Sequence, residues 1–234
     1  MPRIPEILAN AKSFKYLLTR VGEWTNEKTI YNLNAAINYL EVGRWMRAHR
    51  YDVRKRFSKR EQLFDLIGAE VGDKVVLYMK FGVHRAEATR YWSKVLRNPG
   101  SELHGFDSFE GLPEDWNILS RKGHFSVDGE IPVVDDPRVH FFKGWFDQTL
   151  PKHDPPPHEV LVLNLDADLY SSTTFVLDTL KDRIVPGTYV YFDEINDRMH
   201  ELLAFDEFIR KTKMTFSLLG VTRILKCALF QRVS

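Results

Sequence analysis

Two periods of apolar residues divide the chain. From Ala9 to about Gly68 the apolar positions recur at helical spacing, most clearly at Ile30, Leu33, Ala36, Ile37 and Leu40. From Lys74 onward, short apolar runs alternate with helix-like stretches. VVLYMKFG, ELHGFDSF, RVHFFKGW, VLVLNLD and TYVYFDE read as five strands in turn. Helices are expected at AEATRYWSKVL, from Ser172 to Arg183, and from His200 to Lys211. Two last runs, FSLLGV and ILKCALFQRV, pair as an antiparallel hairpin joined by Thr222 and Arg223. Runs that are continuously apolar belong to strands covered on both faces, hence to a parallel sheet between helical layers. The expected class is therefore α/β, with a helical region over residues 1–70 and a Rossmann-like sheet domain over 71–234.

Composition narrows the classes of function. The 234 residues are 44% hydrophobic, enough for one such domain with an appendage. A net charge of +1 gives no global attraction to nucleic acid or to an anionic membrane. Eight basic residues between Arg44 and Arg60 read as a solvated helical face, with an anionic substrate or subunit contact as the rival. The single cysteine, Cys227, excludes an intramolecular disulfide and sits in an apolar run that suits a buried thiol. No signal-peptide core or bilayer-spanning stretch is evident, so a soluble cytoplasmic protein is expected.

The chemistry gathers at strand ends. Asp166 and Asp168 follow the fourth strand, and Asp193 with Glu194 ends the fifth. Open α/β sheets bind ligands at such ends, and three close carboxylates attract a hard divalent cation. A glycine turn after the first strand centres on Gly82. Asp107 closes the next strand, 107 − 82 = 25 positions on, where a carboxylate accepts hydrogen bonds from ribose hydroxyls. His200 has the side chain for proton transfer near neutrality. Glu201 reads as a helix-start acid that favours the dipole.

Four blocks carry a family likeness: GFDSFEGLPEDW from Gly105, KGWFDQTLP from Lys143, DADLYSST from Asp166 and GTYVYFDE from Gly187. A His200–Glu201 pair followed by AFDEF extends it. Together they resemble the macrocin O-methyltransferase family in order and spacing, over residues 74–234. The resemblance implies a class I methyltransferase sheet of seven strands with the last one antiparallel. It also implies S-adenosylmethionine as methyl donor, a divalent cation such as Mg2+, and a sugar or small-metabolite hydroxyl as acceptor. On that likeness Asp166, Asp193 and Glu194 hold the metal. Gly82, Arg85, Asp107, Ser108, Trp145 and Asp166 bind the cofactor, and Asp166 with His200 is catalytic. The helical N-terminal region then serves as a cap and as the contact of a homo-oligomer.

The first motif departs from the family pattern. An acid, two glycines and a serine are replaced, at three of those four places, by Lys80, Ala86 and Ala88, with Gly82 kept. Lys80 sets like charge beside the cofactor's ammonium, and Ala86 adds a Cβ where the turn wants none, which is expected to alter the loop. Arg85 is the compensating partner for the cofactor carboxylate. The departures leave a rival reading: a methyltransferase fold that serves as a non-catalytic partner subunit, or that takes a different, anionic cofactor or substrate.

Overall fold

The computed structural model describes residues 12–234, so the part of the helical reading over 9–11 lies outside the described residues. By compactness the chain forms two units, 1–37 and 38–234. The first unit holds helix α1 (Lys12–Glu23) and the start of α2 (Glu27–Ala48). Asn26 caps α2 by accepting the Thr29 N–H at 2.9 Å. The stripe seen in the sequence is helical, yet Leu17, Trp24, Ile30, Leu33 and Ile37 are all exposed.

The second unit, 38–234, is built on one eight-stranded sheet. Its strands are β1 (Arg56–Phe57), β2 (Val76–Phe81), β3 (Glu102–Asp107), β4 (Val139–Lys143), β5 (Val160–Leu165), β6 (Tyr189–Phe192), β7 (Phe216–Thr222) and β8 (Ala228–Arg232). They lie in the order β1-β7-β8-β6-β5-β2-β3-β4, with β8 antiparallel to both neighbours and the other pairs parallel. The helices are α3 (Glu61–Val71), α4 (Glu87–Val95), α5 (Phe146–Thr149), α6 (Tyr170–Leu180) and α7 (Glu201–Thr212). No described helix is long and apolar enough to cross a membrane.

Each central strand is buried on both faces, which explains its unbroken apolar run. Val76 and Tyr78 face one way and pack with Phe64, Ile67 and Trp92 of α3 and α4. Leu77, Met79 and Phe81 face the other, against Val176 and Leu177 of α6 and Phe205 of α7. Val42, Trp45 and Met46, late in α2, join that second core.

Two expectations need correction. An eighth strand, β1, adds to the edge of β7, in a stretch read as helix. With only two residues it is too short to show a strand period. The final hairpin is joined by residues 223–227 rather than by Thr222 and Arg223 alone. Thr222 still belongs to β7, and its N–H donates to the Cys227 carbonyl at 2.9 Å.

Candidate active site

Strand register sets one rim of the sheet. Phe81 of β2 pairs with Phe106 of β3 and Leu165 of β5, and Leu165 pairs with Phe192 of β6. The next residue on each strand therefore stands in one row: Asp193, Asp166, Gly82, Asp107. Neighbouring strands are about 4.8 Å apart. A cavity of about 650 Å³ opens over this row, a size usual for small-molecule sites. Its acids are Asp107, Asp166, Asp168, Asp193 and Glu194, and its bases include Arg60, Lys122 and Lys226. Phe125, Trp145, Phe146 and Phe175 supply aromatic walls.

Glycine is required at position 82. Its φ is +83°, and a Cβ there would lie 2.0 Å from the Asp166 carbonyl oxygen. The same loop puts His84 at φ 51° and Ala86 at φ 59°, both left-handed. Ala86 thus adopts the glycine-like conformation itself, at a cost of about 1–2 kcal/mol. Asp107 holds this loop to β3. One carboxylate oxygen accepts the N–H groups of Val83 and His84 at 2.7 and 2.8 Å, and the other accepts that of Phe109 at 2.7 Å. An ionised carboxylate has about four acceptor positions, so one is left for a ligand.

The other expected cofactor residues divide. Ser108 and Trp145 line the cavity, while the Ser108 Oγ also accepts the Glu110 N–H at 3.1 Å. Arg85 is exposed and does not line it. His200 does not line it either: its Nδ1 accepts the Tyr170 N–H at 3.2 Å, at the start of α6. Through that bond the imidazole caps the start of α6.

Asp166, Asp193 and Glu194 each already face an internal cation. Lys80 Nζ donates to Asp166 Oδ2 at 2.5 Å, with the lysine 2% exposed. Arg60 and Lys226 approach Asp193 at 3.4 and 3.6 Å, and Lys226 Nζ reaches Glu194 Oε1 at 2.6 Å. The Tyr191 hydroxyl donates to Asp193 at 2.6 Å. Although burial opposes it, Lys80, Tyr191, Lys226 and Arg60 hold the Asp193 carboxyl below the usual range. Burial pushes Asp166 up against the pull of Lys80.

Two further acids are raised. Burial pushes Glu194 up to about 7 even beside Lys226. Burial, with the charges of Asp166 and Glu194, pushes Asp168 up to about 8. Asp168 lines the cavity in a left-handed conformation, φ 58°, and its carboxyl makes no hydrogen bond among the described residues. Glu201, expected as a dipole-favoured anion, is fully buried, and that burial raises it well above the carboxylate range. It is therefore held neutral, with Oε2 accepting the Glu194 N–H at 2.9 Å.

Sequence reasoning missed Arg60, Lys122 and Lys226 as cavity residues. Arg60 looked like one more base on a solvated face, whereas it starts α3 at the rim. Lys226 carried a signal, since it interrupts the apolar run ILKCALF.

Residues 131–232 match the family described as Macrocin-O-methyltransferase (TylF). A 4'-O-methyltransferase of 8-demethyl-8-(2,3-dimethoxy-alpha-L-rhamnosyl)-tetracenomycin C from Streptomyces olivaceus is 32% identical over 133 residues, 48% of this chain and 50% of that protein. Demethyldecarbamoylnovobiocin O-methyltransferase from Streptomyces niveus is 34% identical over 105 residues, covering 38% and 39%. The chain thus spans half or less of these relatives' length. Among solved structures, the O-methyltransferase NovP is 25% identical with a TM-score of 0.53, over 75% of this chain and 78% of that one. CalS11, a calicheamicin methyltransferase, shares the fold at 18% identity and a TM-score of 0.53, over 97% and 88%. Over residues 131–232 the chain is thus similar to the macrocin O-methyltransferase family, and its fold is that of class I methyltransferases.

Proposed function

We propose that this chain is an S-adenosylmethionine-dependent O-methyltransferase acting on a sugar hydroxyl of a small glycosylated metabolite. The observation that carries the reading is the cavity over the row Asp193–Asp166–Gly82–Asp107, with one free acceptor position on Asp107 and aromatic walls beside it. The relatives' acceptors, a rhamnosyl tetracenomycin and demethyldecarbamoylnovobiocin, support the substrate class.

The residues fit the cofactor. Asp107 and Ser108 would meet the ribose, Trp145 would flank the adenine, and Gly82 leaves room at the strand end. Lys80 does not repel the cofactor's ammonium, because its charge is turned onto Asp166 and away from the cavity. The same contact removes the argument for an anionic cofactor. S-adenosylmethionine, when bound, supplies an electrophilic methyl group. The protein's task is then to orient the acceptor hydroxyl and take its proton. Asp168 is the group for that step: it lies in the cavity, free of internal hydrogen bonds, and is held near a pKa of 8.

The donor set does not fit Mg2+. Among the described residues, Asp166, Asp193 and Glu194 do not bring three ligand atoms within 4.8 Å of one another. Lys80, Arg60 and Lys226 already balance their charge, so little attraction remains for a dication.

Calorimetry with S-adenosylmethionine, followed by methyl transfer to rhamnosyl natural products with and without EDTA, tests the proposal. Binding and EDTA-resistant transfer are expected, with the rate rising as pH passes about 8, where Asp168 loses its proton. Asp168→Asn should keep cofactor binding and lower transfer by roughly 10²–10⁴-fold. Failure to bind at millimolar cofactor would sink the reading.

A further inference from the structure

A second group of ligand-type side chains lies away from the rim. Glu102 and His104 are two apart on β3, so they project from one face, and His140 of β4 is the register partner of His104. One ligand atom from each of the three lies within 4.8 Å of the others. Glu102 begins β3 whereas Asp107 ends it. Three to five steps along β3 put about 10–16 Å of strand between this group and Asp107.

We propose that Glu102, His104 and His140 bind a transition-metal dication of the zinc class. Two imidazole nitrogens and one carboxylate oxygen are the donors such ions favour, and Mg2+ or Ca2+ do not. His104 Nε2 lies 2.7 Å and His140 Nε2 4.0 Å from Glu102 Oε2. Ligands on ~2.0–2.1 Å bonds in a tetrahedron stand about 3.3 Å apart, between those two values. Small side-chain rotations therefore suffice to admit the ion.

The surroundings prepare the ligands. With no ion bound, His104 Nε2–H donates to Glu102 Oε2 at 2.7 Å; a dication taking Nε2 moves the ring proton to Nδ1, which then donates to His153 Nε2, 2.8 Å away. Metal-bound histidines are commonly fixed by such a bond from the second ring nitrogen. On the open side, Glu102 is 37% and His140 51% exposed, which gives the ion an entry path and room for a completing water. The ion would tie the edge strand β4 to β3, and β4 leads directly to Trp145 in the cavity wall.

The test uses untagged full chain, stripped with EDTA, titrated with ZnCl2 by calorimetry and with CoCl2 in visible absorption. One equivalent of zinc, tetrahedral cobalt bands and a raised melting temperature are expected. His140→Ala, at a half-exposed position, should abolish the cobalt bands while the protein stays folded by circular dichroism. His153→Ala should weaken zinc binding about 10–100-fold. Asp193→Asn should leave the stoichiometry at one. No zinc uptake at micromolar concentration overturns the proposal. So does uptake that survives in His140→Ala, or uptake lost in Asp193→Asn instead.

Discussion

Replacing Lys80 by methionine isolates the contact that separates this rim from a metal site. The substitution keeps the length of the buried stem and removes the ammonium 2.5 Å from Asp166. Removing one partner of a buried pair costs about 3–5 kcal/mol, because the other charge is left uncompensated. Here the Asp166 side chain is 27% exposed and Arg60 stands nearby, so about 2–3 kcal/mol is the expected loss. For a chain of this size that is a fall of about 5–10 °C in melting temperature.

The pH dependence follows from the sign of the change. Without Lys80 the Asp166 pKa in the fold rises further above its unfolded value. The deficit is then full above that folded pKa and shrinks as pH falls and Asp166 takes a proton. Urea unfolding at pH 7.5 and at pH 5, on Lys80→Met, Asp166→Asn and the double variant, measures it. Removal of both charges should recover much of the loss. A Lys80→Met protein within about 0.5 kcal/mol of the parent would refute the reasoning, as would a double variant no more stable than the single.

Three further substitutions probe the backbone and the buried acid. Gly82→Ala drives a Cβ to 2.0 Å from a backbone oxygen at φ +83°, so a loss of about 2–5 kcal/mol is expected in thermal unfolding, together with loss of cofactor binding. Ala86→Gly is its control and should stay within about 1 kcal/mol, since relief of strain offsets added chain entropy and a lost methyl. Glu201 is held protonated in the fold but ionises above its usual value once unfolded, so the parent loses stability as pH climbs from about 4.5. Glu201→Gln should flatten that slope between pH 5 and 8, and an unchanged slope in urea titrations would reject a neutral Glu201.

Much of the fold was legible because the strands are buried on both faces: VVLYMKFG and VLVLNLD announce themselves by composition alone, and the acids that end them mark the rim. What escaped was pairing across distance. His200 looks catalytic by residue type, and the Tyr170 N–H it accepts, thirty positions away, is not visible in the sequence. Arg60 could not be told from its basic neighbours until α3 was placed. Lys80 was misjudged for a more instructive reason. Its charge looks directed at a ligand, whereas the neighbouring strand, β5, leads to its partner. Lys80 is in register with Asn164, and Asp166, two residues on, projects from the same face of β5. A lysine inside an apolar run needs a buried carboxylate within reach, and the parallel register of β2 and β5 puts Asp166 on that diagonal. The charge that departs from the family pattern and the acid that follows it are therefore one structural unit, and that unit satisfies at Asp166 the charge a cation would otherwise have met.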